Sequence, residues 1–275
     1  MTLIASLPMY DHPSARNATD QLWRAIAHHA RDYGGVLALS DTLERSNTRE
    51  DHWRSPVLGM SQTCGYPLRQ TFYPYLSVLG APRYAVDGCT GHDYASAFVV
   101  RAEDSDKSFA DFRGRRLACN GRDSQSGYNV VKAKIGELGE RSDAKAPFFA
   151  KLEISGNHGK SVAMVKAGTV DLAAIDVVSL ALIQRHAREN FEGLELIGYS
   201  ASGPCLPYVT SNQRSATEVM ALRHAIAAAM EDPALSEARA ALRLSGFDIL
   251  DADEYARIDA VTDQGRDVVL SPEDL

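Results

Sequence analysis

Short apolar runs that end in polar, turn-forming residues recur along this chain, and helical patterns follow most of them. Residues 116–119, Arg-Leu-Ala-Cys, are one such run. A polar loop over 121–126 comes next, and Val130, Val131, Ile135 and Leu138 then recur at helical spacing. Comparable apolar runs at 3–7, 57–60, 84–86, 95–101, 151–154, 171–175, 194–199 and 206–210 read as strands. Helical patterns fall near 22–30, 162–165, 178–186, 217–230 and 235–244, with a short helical turn around 255–258. Strands that alternate with helices predict an α/β fold with mainly parallel strands.

In open α/β sheets, ligands bind outside the carboxyl ends of the strands. Polar residues stand just past predicted strands at Tyr10, Gln62, Tyr94, Ser124, His158 and Asp176. Ser124 or Ser126 can cap the helix that follows. A helix start also exposes backbone N–H groups and the positive end of the helix dipole. With two hydroxyls and Gly127 beside it, this turn has the chemistry of an anion site; a capped helix alone is the simpler reading. Asp176 fits either a ligand contact or the N-cap of the helix beginning near Val178. His158 fits a ligand contact or a polar helix start. Tyr10 and Tyr94 fit core packing with a satisfied hydroxyl equally well. Asp171 begins a strand rather than ending one and reads as structural.

Near the N-terminus, Asn17 or Thr19 can cap a helix whose buried face is Leu22, Trp23, Ile26, Ala27 and Ala30, with Gly34-Gly35 as its stop. His28 and His29 are adjacent, point in different directions and read as surface residues. Charged Glu103 to Lys107 and the polar stretch Ser200 to Pro204 mark composition shifts where the chain crosses between domains. The expected boundaries are 1–97 plus 204–275 for one lobe and 98–203 for the other.

The 275 residues suffice for one large or two medium domains. A net charge of -7 and the lack of a basic run argue against a nucleic-acid partner. No apolar segment approaches the roughly 20 residues of a membrane span. The opening residues lack a basic start followed by a long apolar stretch, so no secretory signal is read there. The expected compartment is the periplasm if a leader has been removed and the cytoplasm if the chain is native as written. Cys64, Cys89, Cys119 and Cys205 show no CxxC spacing, which argues against structural zinc, and no cofactor is expected. Cys64 and Cys89 sit beside glycines in turn-like contexts and could pair in an oxidising compartment.

Four motifs carry a resemblance. They are QTCGYPL at 62–68, GCTGHDYASAFVVR at 88–101, DFRGRRLACN with SQSGYN between 111 and 129, and SGNHGKSVAMVKAGTVDLAAIDVVS at 155–179. Their order and spacing resemble the PhnD-like phosphonate/phosphate/phosphite substrate-binding proteins of ABC transporters, over nearly the whole chain. The resemblance implies a type II periplasmic-binding-protein fold, two α/β lobes joined by hinge crossings that close on a ligand. It implies a small anionic ligand and an ABC permease as partner. It further implies an oxyanion cradle of Ser124, Ser126, Gly127 and the N–H of Tyr128, with His158 donating to the same anion. Asp176 would accept from a ligand amine. Gln62, Thr63 and Cys64 would supply polar contacts from the other lobe, with Tyr94 at the crossing and Tyr10 near the ligand. Neutral donors in fixed directions suit a multiply charged oxyanion, because a buried cation would itself have to be desolvated.

Two other function classes compete with solute binding. One is a cytoplasmic enzyme on the same scaffold, with His158 as base beside Cys64 or Asp176. The sequence holds no GxSxG, HExxH or Walker motif to favour it. The other is a ligand-sensing module.

Overall fold

The apolar runs pair into two five-stranded sheets, one in each of two compact units. The structure is a computed structural model and describes residues 2–33, 36–139 and 146–274. The first unit comprises Met1–Ala85, Thr90–Asp93 and Pro204–Ala256; the second comprises Val86–Cys89, Tyr94–Gly203 and Arg257–Leu275.

In the first unit the strand order is Ile4–Ser6, Leu58–Gln62, Tyr208–Ser211, Leu76–Tyr84, Leu244–Asp248. The first two strands are parallel, with Ile4 opposite Leu58 and Ser6 opposite Ser61. Tyr208–Ser211 runs antiparallel to Leu58–Gln62 and to Leu76–Tyr84. The strands Ile4–Ser6, Leu58–Gln62 and Leu76–Tyr84 therefore run the same way and end at one edge of the sheet. The helices Arg16–Asp32 and Ala216–Glu231 pack together in this unit. Leu22, Trp23, Ile26, Ala27 and Ala30 are all buried on the first helix, as their i, i+3, i+4 spacing predicts. Its start differs from expectation. The helix opens at Arg16, behind a turn over Pro13–Ala15 that His12 caps, so Thr19 lies inside it and donates to Ala15 O at 3.4 Å. It ends at Asp32; the Gly34-Gly35 stop lies outside the described residues.

In the second unit the order is Leu194–Tyr199, Ser96–Arg101, Leu172–Asp176, Arg116–Cys119, Lys151–Ile154. The last three strands are mutually parallel, and Ser96–Arg101 runs antiparallel to Leu172–Asp176 and Leu194–Tyr199. Both sheets are thus mixed, where alternation alone predicted mainly parallel pairing. Strand direction depends on which distant strands become neighbours, and local periodicity carries no record of that. The core of the second unit is aromatic. Phe98 and Phe109 meet at a tilt, 4.7 Å between centroids, and Phe148 and Phe149 meet nearly edge to face at 4.9 Å.

The division of the chain departs from the sequence-based boundary, which assigned all of 204–275 to the first lobe. Arg257–Leu275 folds into the second unit. Val268 and Leu270 enter its aromatic core, and the carbonyls of Val269 and Leu270 accept from Phe148 N and Phe149 N at 3.2 and 2.7 Å. The helix Arg257–Gln264 lies against the helix Val130–Glu137, and Gly136 is what permits the approach. A Cβ at Gly136 would run into the carbonyl oxygen of Gln264. Gly136→Ala raises helix propensity yet is expected to lower stability by about 1–3 kcal/mol, because the methyl overpacks this contact. Denaturant unfolding of the two proteins checks the sign.

Asp171 is structural, as its position at a strand start suggested. It is buried and accepts from Arg116 N at 3.0 Å, from Arg116 Nε at 2.9 Å and Nη2 at 2.7 Å, and from Arg101 Nη2 at 3.1 Å. Hydrogen bonds from Arg116 and then Arg101 hold its carboxyl well below the usual carboxylate range. None of the cysteines is in a disulfide, so the pairing considered for Cys64 and Cys89 is not formed. Cys119 is fully buried, and burial pushes its thiol up to about 12. Among the described residues, no helix is long and apolar enough to cross a membrane.

Candidate functional site

The sheet of the second unit places the ends of its three parallel strands side by side. Past Arg116–Cys119 the chain turns, with Gly121 O accepting from Ser124 N at 3.1 Å and from Cys119 Sγ at 3.1 Å. Ser124 is extended and is the N-cap: its Oγ accepts from Gly127 N at 3.0 Å. The first helical turn, Gln125–Asn129, is widened to i→i+5 bonding before regular helix continues from Val130. Asn129 N and Tyr128 N both donate to Ser124 O, at 3.1 and 3.2 Å. Widened turns of this kind are uncommon and cluster at functional sites.

This geometry revises the expected cradle in one respect. The N–H groups of Gly127 and Tyr128 are committed to Ser124 within the turn. The N–H groups of Gln125 and Ser126 open the helix, with no acceptor one turn behind them. Sequence reasoning passed over Gln125; nothing short of knowing the cap position would have found it. Gly127 is required by its neighbour, since a Cβ there would overlap Asn120 Oδ1. Tyr128 is partly buried, with its hydroxyl donating to Asp274 Oδ1 at 3.0 Å.

Past Lys151–Ile154, Asn157 caps the helix His158–Lys166 through Lys160 N at 2.9 Å. His158 is the first residue of that helix, and its Nε2 lies 2.9 Å from Ser126 Oγ. Ser126 Oγ is in turn 3.5 Å from Ser124 Oγ. Two helix N-termini thus meet through one hydrogen bond, with two serine hydroxyls and an imidazole between them. His158 keeps part of its surface exposed, but Nδ1 is buried without a partner among the described residues. Burial pushes the imidazole pKa down to about 4, so the ring is neutral at pH 7. The positive end of its own helix acts in the same direction. The resulting patch is polar and donor-rich, and its imidazole is neutral.

Past Leu172–Asp176, Asp176 caps the helix Val177–His186. Its Oδ1 accepts from Val178 N at 2.7 Å and Ser179 N at 2.9 Å, and the residue is buried. Capping is the role its Oδ1 takes. Tyr94, also in this unit, is buried at the end of the short strand Asp93–Tyr94.

Tyr10, Gln62, Thr63 and Cys64 lie in the first unit, at or just past the carboxyl ends of its strands. Gln62 Nε2 donates to Tyr84 OH at 3.3 Å and Leu206 O at 3.1 Å. Thr63 is fully buried; its N donates to Pro207 O at 3.2 Å and its hydroxyl to Cys64 O at 3.2 Å. Cys64 is buried, and its carbonyl accepts from Leu68 N at 3.2 Å. Tyr10 packs edge to face on Tyr84 at 5.5 Å. Tyr84 and Tyr208, which sequence reasoning did not single out, join this group through the sheet.

Among the described residues, His92, Asp93 and Glu254 in the first unit hold potential metal-ligating atoms within 4.8 Å of one another. His92 Nδ1 already lies 3.2 Å from Asp248, and Nε2 lies 3.5 Å from Glu254. An imidazole shared among carboxylates accounts for the cluster without an ion.

Comparison with solved structures defines the class. The chain matches XAC2383 from Xanthomonas citri, solved with chloride, at a TM-score of 0.72 and 18% identity, over 96% of this chain and 97% of that one. It matches PhnD1 from Prochlorococcus marinus in complex with methylphosphonate at 0.72 and 14% identity, over 97% and 99%. It matches a binding protein component of an ABC phosphonate transporter from Pseudomonas aeruginosa at 0.72 and 14%, over 96% and 86%. At these identities the likeness establishes the fold, that of the two-lobed type II periplasmic binding proteins. No protein of curated function matches the sequence. The family model of the periplasmic substrate-binding proteins of phosphonate ABC transporters matches residues 74–255, and the chain belongs to that family.

Proposed function

We propose that this chain captures a small phosphorus oxyanion, of the phosphonate or phosphate type, for delivery to an ABC permease. Ser124, Ser126, the N–H groups that open the Gln125–Asn129 turn, and His158 form the cradle. The observation that carries this reading is the 2.9 Å bond between Ser126 Oγ and His158 Nε2, which joins two helix N-termini into one donor-rich patch. Membership of the phosphonate-binding family supports the ligand class and a periplasmic place of work. Oxyanions suit this patch because its donors are fixed by the fold before the ligand arrives.

The reading is one of binding without chemistry. An imidazole with its pKa pushed down to about 4 is a weak base at pH 7, and Asp176 Oδ1 is engaged in capping. The weak basicity of His158 counts against the enzyme reading in which it serves as base. Gly127 and Tyr128 shape the turn, and Gln62, Thr63, Cys64, Tyr10 and Tyr94 remain candidate ligand contacts.

A thermal-shift screen of ligand-stripped protein tests this directly. Phosphate, phosphite, methylphosphonate and aminoethylphosphonate are compared with sulfonates and amino acids. A ligand at one hundred times its Kd stabilises the folded state by about 2.7 kcal/mol, a shift of several degrees for a chain of this size. Shifts with phosphorus oxyanions are expected. A shift confined to compounds without phosphorus would reject the assignment.

A further inference from the structure

The two ring nitrogens of His158 sit in different surroundings. Nε2 lies 2.9 Å from Ser126 Oγ, while Nδ1 is buried without a partner among the described residues. A neutral ring carries one proton, and its two tautomers bury different things. With the proton on Nδ1, an N–H donor is orphaned inside the protein, which is rare and costly. With the proton on Nε2, only a lone pair is orphaned. Nδ1 is the nitrogen nearer the ring's own backbone, and that backbone opens the helix His158–Lys166. The positive end of a helix favours a lone pair there over an N–H. Both arguments place the proton on Nε2.

That proton sets the direction of the next bond. Nε2–H donates to Ser126 Oγ, so the Ser126 hydroxyl proton points away from the ring. Ser124 Oγ accepts from Gly127 N at 3.0 Å, which leaves its own proton free. At 3.5 Å the two hydroxyls are too far apart to hold each other's protons. Gln125 N and Ser126 N complete the set of donors. The acceptors beside them are closed or taken. His158 Nδ1 and Asn120 Oδ1 are shut off from water, and so from a ligand; Asn120 Oδ1 lies hard against Gly127. Gln125 Oε1 accepts from Asn129 Nδ2 at 3.3 Å, and Asp176 Oδ1 takes two backbone N–H groups.

We infer that the cradle is a donor-only site, set by the tautomer of His158, and that it selects the fully ionised form of its oxyanion over the singly protonated one. The inference rests on the oxyanion reading above and deepens it. The ligand class becomes a dianion, and His158 becomes a positioning residue that acts through Ser126. A proton on the ligand is unfavourable wherever it sits. Turned into the cradle, a P–OH meets other hydrogens and finds no acceptor. Turned away, it leaves the oxygens in the cradle with less of the charge that two helix N-termini attract. The packed elements around the cradle carry titratable groups of their own: Cys119 and Asp123 ahead of the turn, Tyr128 within it, Lys132 on its helix, Lys160 on the helix of His158, and Asp176 at the end of Leu172–Asp176. A group of the protein titrates at the same pH whichever ligand is offered, and this separates its effect from that of the ligand's own proton.

Isothermal titration of the ligand-stripped full chain tests it, with inorganic phosphate, phosphite and methylphosphonate as probes, from about pH 5.5 to about pH 9. His158 stays neutral throughout this range. Affinity is expected to rise about tenfold per pH unit below each ligand's second ionisation and to level off above it. Phosphite loses its second proton at lower pH than methylphosphonate does, so its plateau should begin earlier. Nitrogen NMR of the imidazole gives a second readout, and should show hydrogen on Nε2 of His158 and none on Nδ1. Affinity that is flat or falls with rising pH, an inflection at one pH for every ligand, or hydrogen on Nδ1 overturns this inference and leaves the oxyanion reading in place. Failure of all three ligands to bind at any pH overturns both.

Discussion

Replacing Ser124 and Ser126 together with alanine is expected to weaken oxyanion binding by at least about a hundredfold. A hydrogen bond to a charged group contributes roughly 1.5–3 kcal/mol, so two lost hydroxyls remove about 3–6 kcal/mol. Ser126 Oγ lies within hydrogen-bond reach of His158 Nε2, and Ser124 Oγ is held by Gly127 N. Both oxygens are therefore positioned before any ligand binds. Ser124 has a second role as N-cap, and its loss alone costs the helix about 1 kcal/mol. Ser126 is inside the turn and caps nothing. The single Ser126→Ala variant keeps the cap but removes the bond to His158 Nε2, so it should lose about 1–3 kcal/mol of stability together with its affinity, and the affinity of protein shown to be folded at the titration temperature is the decisive reading. Titration with whichever oxyanion gives the largest thermal shift is the measurement. Unchanged affinity in the double variant would exclude this cradle.

Asp171→Asn is expected to lower stability substantially, with no direct effect on the proposed ligand contacts. The carboxylate is buried and takes bonds from both arginines and from the backbone of Arg116. Removing one partner of a fully buried ion pair costs 3–5 kcal/mol; the partly exposed side chain of Arg116 can rehydrate, which brings the expectation to about 2–3 kcal/mol. The pH dependence follows from the lowered pKa. A carboxyl held below its unfolded value contributes its full stability above the unfolded pKa, near 4, and loses it as pH falls through the folded value. The gap in melting temperature between wild type and Asp171→Asn should therefore be constant from pH 8 to about 5 and shrink in stronger acid. A gap that widens on acidification would contradict this account of the ion pair.

The local parts of this molecule were legible in its sequence. Ser124 as a cap, the buried face from Leu22 to Ala30, and the helix after Asp176 follow from side-chain spacing and capping chemistry within one or two turns. The family resemblance supplied the two-lobed plan. What escaped were facts of pairing at a distance. Nothing local to Tyr84 or Tyr208 says that they will close a cavity with Gln62. Nothing local to Val268 and Leu270 says that they will join Phe148 and Phe149. The proposed cradle was half legible: the sequence singled out Ser124, Ser126 and His158, which the structure brings together, but which N–H groups stay available depends on the widened turn at Gln125–Asn129, and no propensity encodes that turn. Asp176 shows the limit from the other side, since one carboxylate satisfied two sequence readings and its Oδ1 takes up the capping one.

The return of the last nineteen residues, Arg257–Leu275, to the second unit has a consequence for how the protein can be taken apart. A contiguous fragment of residues 94–203 carries the whole proposed cradle, yet it would leave Phe148 and Phe149 without Val268 and Leu270 over them, and without the backbone bonds from Phe148 N and Phe149 N. Such a fragment would be open-cored and prone to aggregate. A chain that joins the tail to this fragment through a short linker in place of residues 204–256 would restore the missing side of the core, and would allow the anion patch to be studied by itself.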